Sequence, residues 1–232
     1  MLELRRDGEI FRAEGGWFSA RWHFSFDRYR DPANMGFGTL RVFNDDRLIA
    51  GAIWPMHPHR DIEGLTYVVE GTFRHEDSLG NDGVLPAGSV QRMTLGSGAL
   101  HSEQNASETE PMRFIQLWIM PAIRGLPPSC EQRVHGHEDR ADRLLEVFSP
   151  AGGPGVGVHQ DARVFISSLS DGASVARDVP PGFGHYFYLI SGEVELNGEK
   201  LATGDAAKIR SEPRLDIRAL SSSELITVEV QI

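Results

Sequence analysis

The stretch WPMHPHRDIEGLTYVVEG, residues 54–71, sets two histidines either side of a proline and follows them with a β-branched, aromatic run that ends in glycine. LTYVV, residues 65–69, has the composition of a strand. Side chains alternate between the faces of a strand, so His57 and His59 are expected to point the same way, about 6.8 Å apart along the chain. Pro58 points away and has no N–H for a ladder, which fits an edge or a barrel mouth better than a central strand.

The same texture runs along the rest of the chain. Short apolar runs punctuated by Gly, Pro, Asn and Asp recur, while long stripes of helical period are scarce. Candidate strands are LRVF (40–43), LTYVV (65–69), MRFIQLWIM (112–120), RVFISSL (163–169), HYFYLI (185–190) and LITVEV (225–230). Turn signals are NDD at 44–46, NDG at 81–83 and NG at 197–198, where Asn or Gly tolerates positive φ. One or two short helices are allowed for, with EDRADRLLEV (138–147) the candidate. The fold class read from this is all-β.

Two segments resemble each other. LTYVVEGTFRHEDSLGNDGVLPAGSV and HYFYLISGEVELNGEKLATGDAA share a buried strand ending in glycine, a polar strand, a turn, and a small-residue glycine turn before the next strand. Gly71 matches Gly192 and Gly88 matches Gly204, offsets of about half the chain, which predicts two copies of one β-barrel unit. SPAGGPGVG (149–157) reads as a loop or linker. The boundary is placed near residue 135, giving an N-terminal metal-binding domain, 1–134, and a C-terminal domain, 135–232.

Composition narrows the function classes. The 232 residues carry a formal charge of -10, which disfavours direct nucleic-acid binding, since that affinity comes from Lys and Arg neutralising phosphates. No apolar run approaches the roughly 18 residues of a membrane span. MLELRRDGEI turns charged at once, unlike a secretion signal, so a cytoplasmic location is expected. Cys130 is the only cysteine, which excludes an internal disulfide and a thiolate cluster and reads as an ordinary reduced thiol.

Chemistry concentrates in the first copy. GALHSEQN places His101 and Glu103 two residues apart, the spacing already seen at His57 and His59. By itself an H-x-H spacing is more often turn polarity than a metal site; a second pair in the same unit reverses that. Neighbouring strands would bring three imidazoles and one carboxylate to one point. Neutral nitrogens with one anionic oxygen suit a divalent transition metal, and four protein ligands leave an octahedral ion two open positions for chemistry. HGH at 135–137 repeats the spacing in a polar stretch without a strand pattern and is not taken as a site.

These motifs carry a resemblance. G51-x5-H57-x-H59-x3-E63 resembles the first cupin motif, and G80-x5-P86-x-G88 followed by H101-x3-N105 resembles the second, with twelve residues between Gly88 and His101 where the general pattern has two. HPHRDIEGLTYVVEG, HEDSLGN, MTLGSGALHSE and WHFSFDRYRDPANMGFGTLRVFNDD are similar to segments of the pirin family, especially bacterial members with quercetin 2,3-dioxygenase activity. The likeness is strong from Trp17 to Arg133 and weaker beyond.

The resemblance implies a bicupin, two double-stranded β-helix barrels, with one metal held in the first by His57, His59, His101 and Glu103. Fe(II) is favoured, and the ligands would also accept Mn, Co, Ni, Cu or Zn. Glu63 stands where many cupins carry a glutamate ligand, but pirins take theirs from the H-x-E pair, so Glu63 is expected to support the site from behind. The repeat offset puts Asp178 and Pro180 where His57 and His59 would sit, so the second barrel has lost its ligands, and His185 is expected to pack or hydrogen-bond. His23 and His75 are expected near the first barrel; His135, His137 and His159 in connections. Phe43, Trp54, Met56, Met93 and Phe114 are candidates to line an aromatic pocket, with barrel core the plainer reading of any one of them.

The activity implied is ring-opening dioxygenation of a flavonol-type aromatic enol with O2, with Glu103 as both ligand and catalytic base. The alternative is an iron-dependent redox-sensing module that binds a protein partner without turnover. A monomer is expected.

Overall fold

Glu63–Glu70 is buried at every position but its last, whereas Arg214–Ala219 alternates between exposed and buried. A strand covered on both faces has no wet side to mark with polar residues; a strand at the outer wall has one. That contrast separates the inner sheets from the outer ones.

The computed structural model describes residues 1–232. Its first half runs β1 (Leu2–Arg5), β2 (Phe11–Glu14), β3 (Phe18–Trp22), β4 (Leu40–Leu48), β5 (Ile53–His59), β6 (Glu63–Glu70), β7 (Thr72–Asp77), β8 (Asp82–Pro86), β9 (Ser89–Thr94), β10 (Ala99–Asn105), β11 (Met112–Ile119) and β12 (Ser129–Val134). One helical turn, α1 (His137–Arg140), precedes β13 (Leu145–Pro150), β14 (Val156–Val158), β15 (Ala162–Leu169), β16 (Ser174–Asp178), β17 (Phe183–Ser191), β18 (Glu193–Leu196), β19 (Glu199–Ala202), β20 (Ala206–Arg210), β21 (Arg214–Ala219) and β22 (Ser223–Gln231). No helix is long and apolar enough to cross a membrane.

The strands form two barrels, as the repeat predicts. A seven-stranded sheet, β12-β9-β6-β11-β4-β3-β2, faces a four-stranded one, β5-β10-β7-β8; the second barrel repeats this with β1-β20-β17-β22-β15-β13-β14 and β16-β21-β18-β19. Gly71, Gly192, Gly88 and Gly204 all have φ between 79° and 93°, and a Cβ on any of them would stand 2.2–2.7 Å from its nearest neighbour. These are turns only glycine can make without strain, which is why the repeat was visible there.

The two large sheets pack face to face. Phe43, Leu65, Tyr67, Ile115 and Leu117 share one core with Tyr186, Tyr188, Ile190, Ile226 and Val228, each large side chain contributing about 1.5–3 kcal/mol by leaving water. Alternate residues point the other way. In the second barrel Phe187, Leu189 and Leu225 fill the interior with Leu196, Leu215 and Ile217.

Four expectations need correction. NDD (44–46) is no turn: β4 continues through it, because Asp45 is buried against Arg113 (2.8 and 2.7 Å) and accepts a hydrogen bond from the Tyr188 hydroxyl across the interface (2.6 Å). Burial alone would raise the Asp45 pKa, but the Arg113 hydrogen bonds and charge hold it below the ordinary carboxylate value. The helix at 138–147 shrinks to His137–Arg140, since Leu145–Pro150 is taken up as β13, and the glycine-rich linker is only the short connection from β13 to β14, which pair in parallel. The division at residue 135 falls between β12 and α1, yet Leu2–Arg5 pairs with β20, so the N-terminus supplies an edge strand to the second barrel's sheet. Phe43 packs at the interface and Met93 and Phe114 pack in the barrel core, the plainer of the two readings given for each, while Met56 is exposed.

Candidate metal centre

β10 pairs antiparallel with β5, and the register sets His59 opposite Ala99 and His57 opposite His101. Beyond His101 the register shifts, so that Glu103 faces Trp54. The extra residue at Pro55–Met56 is a bulge, and it lets Trp54 and His57 face the same way although they are three apart. Pro58 suits this edge strand: it lies opposite Leu100, and β5 has no second neighbour in its sheet.

The three imidazoles converge. His57, His59 and His101 present ring nitrogens within 4.8 Å of one another, with ring centroids 4.6–5.3 Å apart. Glu103 borders the same cavity. His57 Nδ1 lies 2.8 Å from the Pro55 carbonyl, which fixes Nδ1 as the protonated nitrogen and leaves the Nε2 lone pair free. Trp118 packs edge-on against His59 at 4.8 Å and holds that ring in place.

A cation fits this donor set. Both ring nitrogens of His101 and Oε1 of Glu103 are buried without a hydrogen-bond partner, and a cation held by the three imidazoles would take up one of the two His101 nitrogens. Burial, then the charge of neighbouring imidazoles, lowers the His59 pKa to about 4 and that of His101 to about 2. Both rings are therefore neutral at pH 7, with lone pairs to give. Burial pushes Glu103 up to about 7, against a hydrogen bond from Gln116 that pulls it down; a cation beside it would favour the carboxylate. Gln116 is itself oriented, because its Oε1 accepts from Thr66 at 2.7 Å.

The cavity in front of these groups holds about 660 Å³, a size suited to a multi-ring ligand. Six aromatic rings line it: Trp17, Phe18, Trp22, Phe26, Trp54 and Trp118. Asn44, Asp46 and Gln116 add polar groups, and Asp27, Arg28 and Pro55 complete the lining. Trp54 was among the residues expected here. The other aromatic residues were missed, and Asn44 and Asp46 were missed because they had been read as a turn.

The remaining histidines do other work. His75, Asp77 and Cys130 also cluster within 4.8 Å. Their lone pairs are taken, however: His75 lies between Gln91 (3.1 Å) and Asp77 (3.0 Å), and Asp77 also accepts from Leu79 N, Asn81 N and Asn81 Nδ2. Burial pushes the Cys130 thiol up to about 12, so it stays protonated. Asp77 pairs with His101 across the ladder, which makes this cluster a buttress behind that residue. Glu63 accepts hydrogen bonds from Thr94 Oγ1 (2.9 Å), His159 N (2.7 Å) and His159 Nδ1 (2.8 Å), and so braces the first barrel against the segment after β14. His23 is buried at the barrel interface, its Nδ1 2.7 Å from the Tyr186 hydroxyl. His185 lies between Thr227 and Glu229 inside the second barrel. His135 and His137 join no cluster of metal-ligating groups.

Comparison with known proteins places the geometry among relatives. A family model for Pirin matches residues 5–119, and one for the Quercetinase C-terminal cupin domain matches residues 146–230. The Quercetin 2,3-dioxygenase of Escherichia coli (strain K12) is 39% identical over 232 residues, 99% of each chain. A Pirin-like protein of Caulobacter vibrioides is 36% identical over 231 residues, again 99% of each chain. The bacterial pirin YhhW from Escherichia coli, solved in complex with nickel(II), matches with a TM-score of 0.93 at 38% identity, covering 100% of this chain and 99% of that one.

Proposed function

This chain belongs to the pirin family, and on that footing we propose that it is a metal-dependent dioxygenase for flavonol-type aromatic enols, with His57, His59, His101 and Glu103 holding one divalent transition ion. The observation that carries this reading is the meeting, in one cavity, of unpartnered buried donors on His101 and Glu103 with a wall of six aromatic rings. The name of the Escherichia coli relative supports the substrate class, and the nickel(II) complex of YhhW supports a metal in this fold.

Such an ion, when bound, supplies a positive centre that acidifies an enol hydroxyl and a position at which dioxygen can react. The chain's own residues do the rest. The aromatic walls take up a flat multi-ring ligand and exclude water from around it. Glu103 lines the cavity where the ligand would lie and is placed to accept the enol proton, and Gln116 steers its carboxylate. His57 is locked in one tautomer by the Pro55 carbonyl, and His59 in one orientation by Trp118.

The overall conversion is ring-opening of the flavonol with O2 and loss of carbon monoxide. Incubation of iron(II)- or nickel(II)-loaded protein with quercetin, with and without oxygen, tests it. The reading expects metal-dependent oxygen uptake with release of carbon monoxide. Uptake no faster than quercetin autoxidation would remove it, and redox-dependent binding of a protein partner in its place would point to a sensor.

A further inference from the structure

From Phe43 to Asp46, past a bulge between Leu40 and Val42, β4 alternates between two environments. Phe43 packs between the barrels and Asp45 is locked to Arg113 and Tyr188, while Asn44 and Asp46 face the cavity that holds the three imidazoles. Both are nearly fully buried, at 3% and 5% exposure. Neither is satisfied within the chain. Oδ1 of Asn44 has no hydrogen-bond partner, and the groups acting on the Asp46 carboxyl are charges, Glu103 and Asp45, with no hydrogen bond among them.

Asn44 also ends a row of polar residues. Across the ladders it stands opposite Gln116, Gln116 opposite Thr66, and Thr66 opposite Gln91. The inner members bond to one another or to His75, as Thr66 does to Gln116 and Gln91 to His75. Only at the cavity end does the row run out of partners.

Buried polar groups left unmatched cost stability, so a pair of them facing a cavity is expected to find its partners on a ligand. We propose that Asn44 and Asp46 form a hydroxyl-recognition pair that makes this cavity select polyhydroxylated aromatic enols over enols bearing no other hydroxyl. The inference rests on the flavonol reading above and adds to it which flavonols are favoured. A phenol hydroxyl can donate its one proton to Asn44 Oδ1 while accepting from a protonated Asp46, and two neighbouring hydroxyls can donate to Asn44 Oδ1 and to an ionised Asp46. An aromatic carboxylate is disfavoured, because Asp46 and Glu103 already bring two acidic groups to the same walls and the lining cation, Arg28, is exposed. A site built to bond a hydroxyl rejects the analogue that lacks it, since the protein's own groups are then left bare.

Calorimetric titration of nickel(II)-loaded protein under anaerobic conditions tests this, with quercetin and 3-hydroxyflavone as probes. The second keeps the enol and lacks every other hydroxyl. Wild-type protein is expected to bind quercetin about tenfold or more tightly than 3-hydroxyflavone, the discrimination of one or two hydrogen bonds. In N44A/D46A that ratio should fall close to one, with the loss on the quercetin side, while Tm stays level or rises because two unsatisfied buried groups are gone. An unchanged ratio in the variant, or equal binding of both probes by the wild type, overturns the proposal and leaves the flavonol reading standing. Failure of both probes to bind the wild type overturns both. A clear drop in Tm would make the pair structural and also overturn it.

Discussion

His101 stands directly opposite His57 across the β5–β10 ladder, whereas Glu103, two residues on, stands opposite Trp54. The bulge at Pro55–Met56 makes the difference. It keeps the histidines convergent and at the same time sets Trp54 on the cavity side, so one ring of the aromatic wall comes from the same two strands as the donor set. Trp54 is in turn packed edge-on against Trp17, with centroids 4.4 Å apart, and against Phe18 at 4.7 Å.

All four tryptophans of the chain, Trp17, Trp22, Trp54 and Trp118, line this one cavity. Tryptophan emission therefore reports on it alone. Quercetin binding is predicted to quench more than half of the emission at saturation, with a midpoint that matches the calorimetric Kd. Emission that does not respond to a bound flavonol would place the ligand elsewhere.

Glu63 sits at the place of a familiar cupin glutamate but is occupied by Thr94 and His159. Glu63→Gln is predicted to cost about 2 kcal/mol by weakening hydrogen bonds to a buried charge, lowering Tm by about 4–8 °C for a chain of this size. Metal content should not change. Elemental analysis together with a thermal melt checks both halves; loss of the ion with an unchanged Tm would make Glu63 a ligand.

The second barrel has an internal ion cluster and no triad of imidazoles. Glu229 is buried between His185 (3.1 Å) and Arg177 (2.8 and 2.9 Å). Burial raises its pKa, and the hydrogen bonds from His185 and Arg177 more than reverse this, bringing it to about 2. A depressed carboxylate pKa stabilises the fold above the unfolded value, about 4.5, and that contribution is lost as pH falls toward 2. Glu229→Gln, which leaves Arg177 without its partner, is predicted to cost about 3 kcal/mol at pH 7. The gap in Tm between variant and wild type should close between about pH 4.5 and pH 2. A gap that is constant with pH would contradict this account.

How far the sequence could be read depended on whether a signal was local. The convergence of His57, His59 and His101 was legible from strand parity, and the repeat from glycines that need positive φ; both are properties of a few adjacent residues. NDD at 44–46 misled because the same letters favour turns, and what keeps them extended is Arg113, 68 residues away. Had β4 been carried to Leu48, alternation from Phe43 onward would have put Asn44 and Asp46 on the face opposite Phe43. The pairing of Leu2–Arg5 with β20 left no local trace, since an edge strand in the other barrel reads like any short strand. The aromatic wall was hidden for a similar reason: Trp17, Trp22, Trp54 and Trp118 come from distant segments, and only the folded sheets bring them to one cavity.

The central claim is that four side chains of the first barrel hold one ion. Equilibrium dialysis of the wild type, His101→Ala and Glu103→Gln against limiting nickel(II), followed by elemental analysis, tests it most directly. The account predicts one ion per chain in the wild type, almost none in His101→Ala and a weakened site in Glu103→Gln, with all three proteins folded by circular dichroism. Equal metal in all three would contradict it.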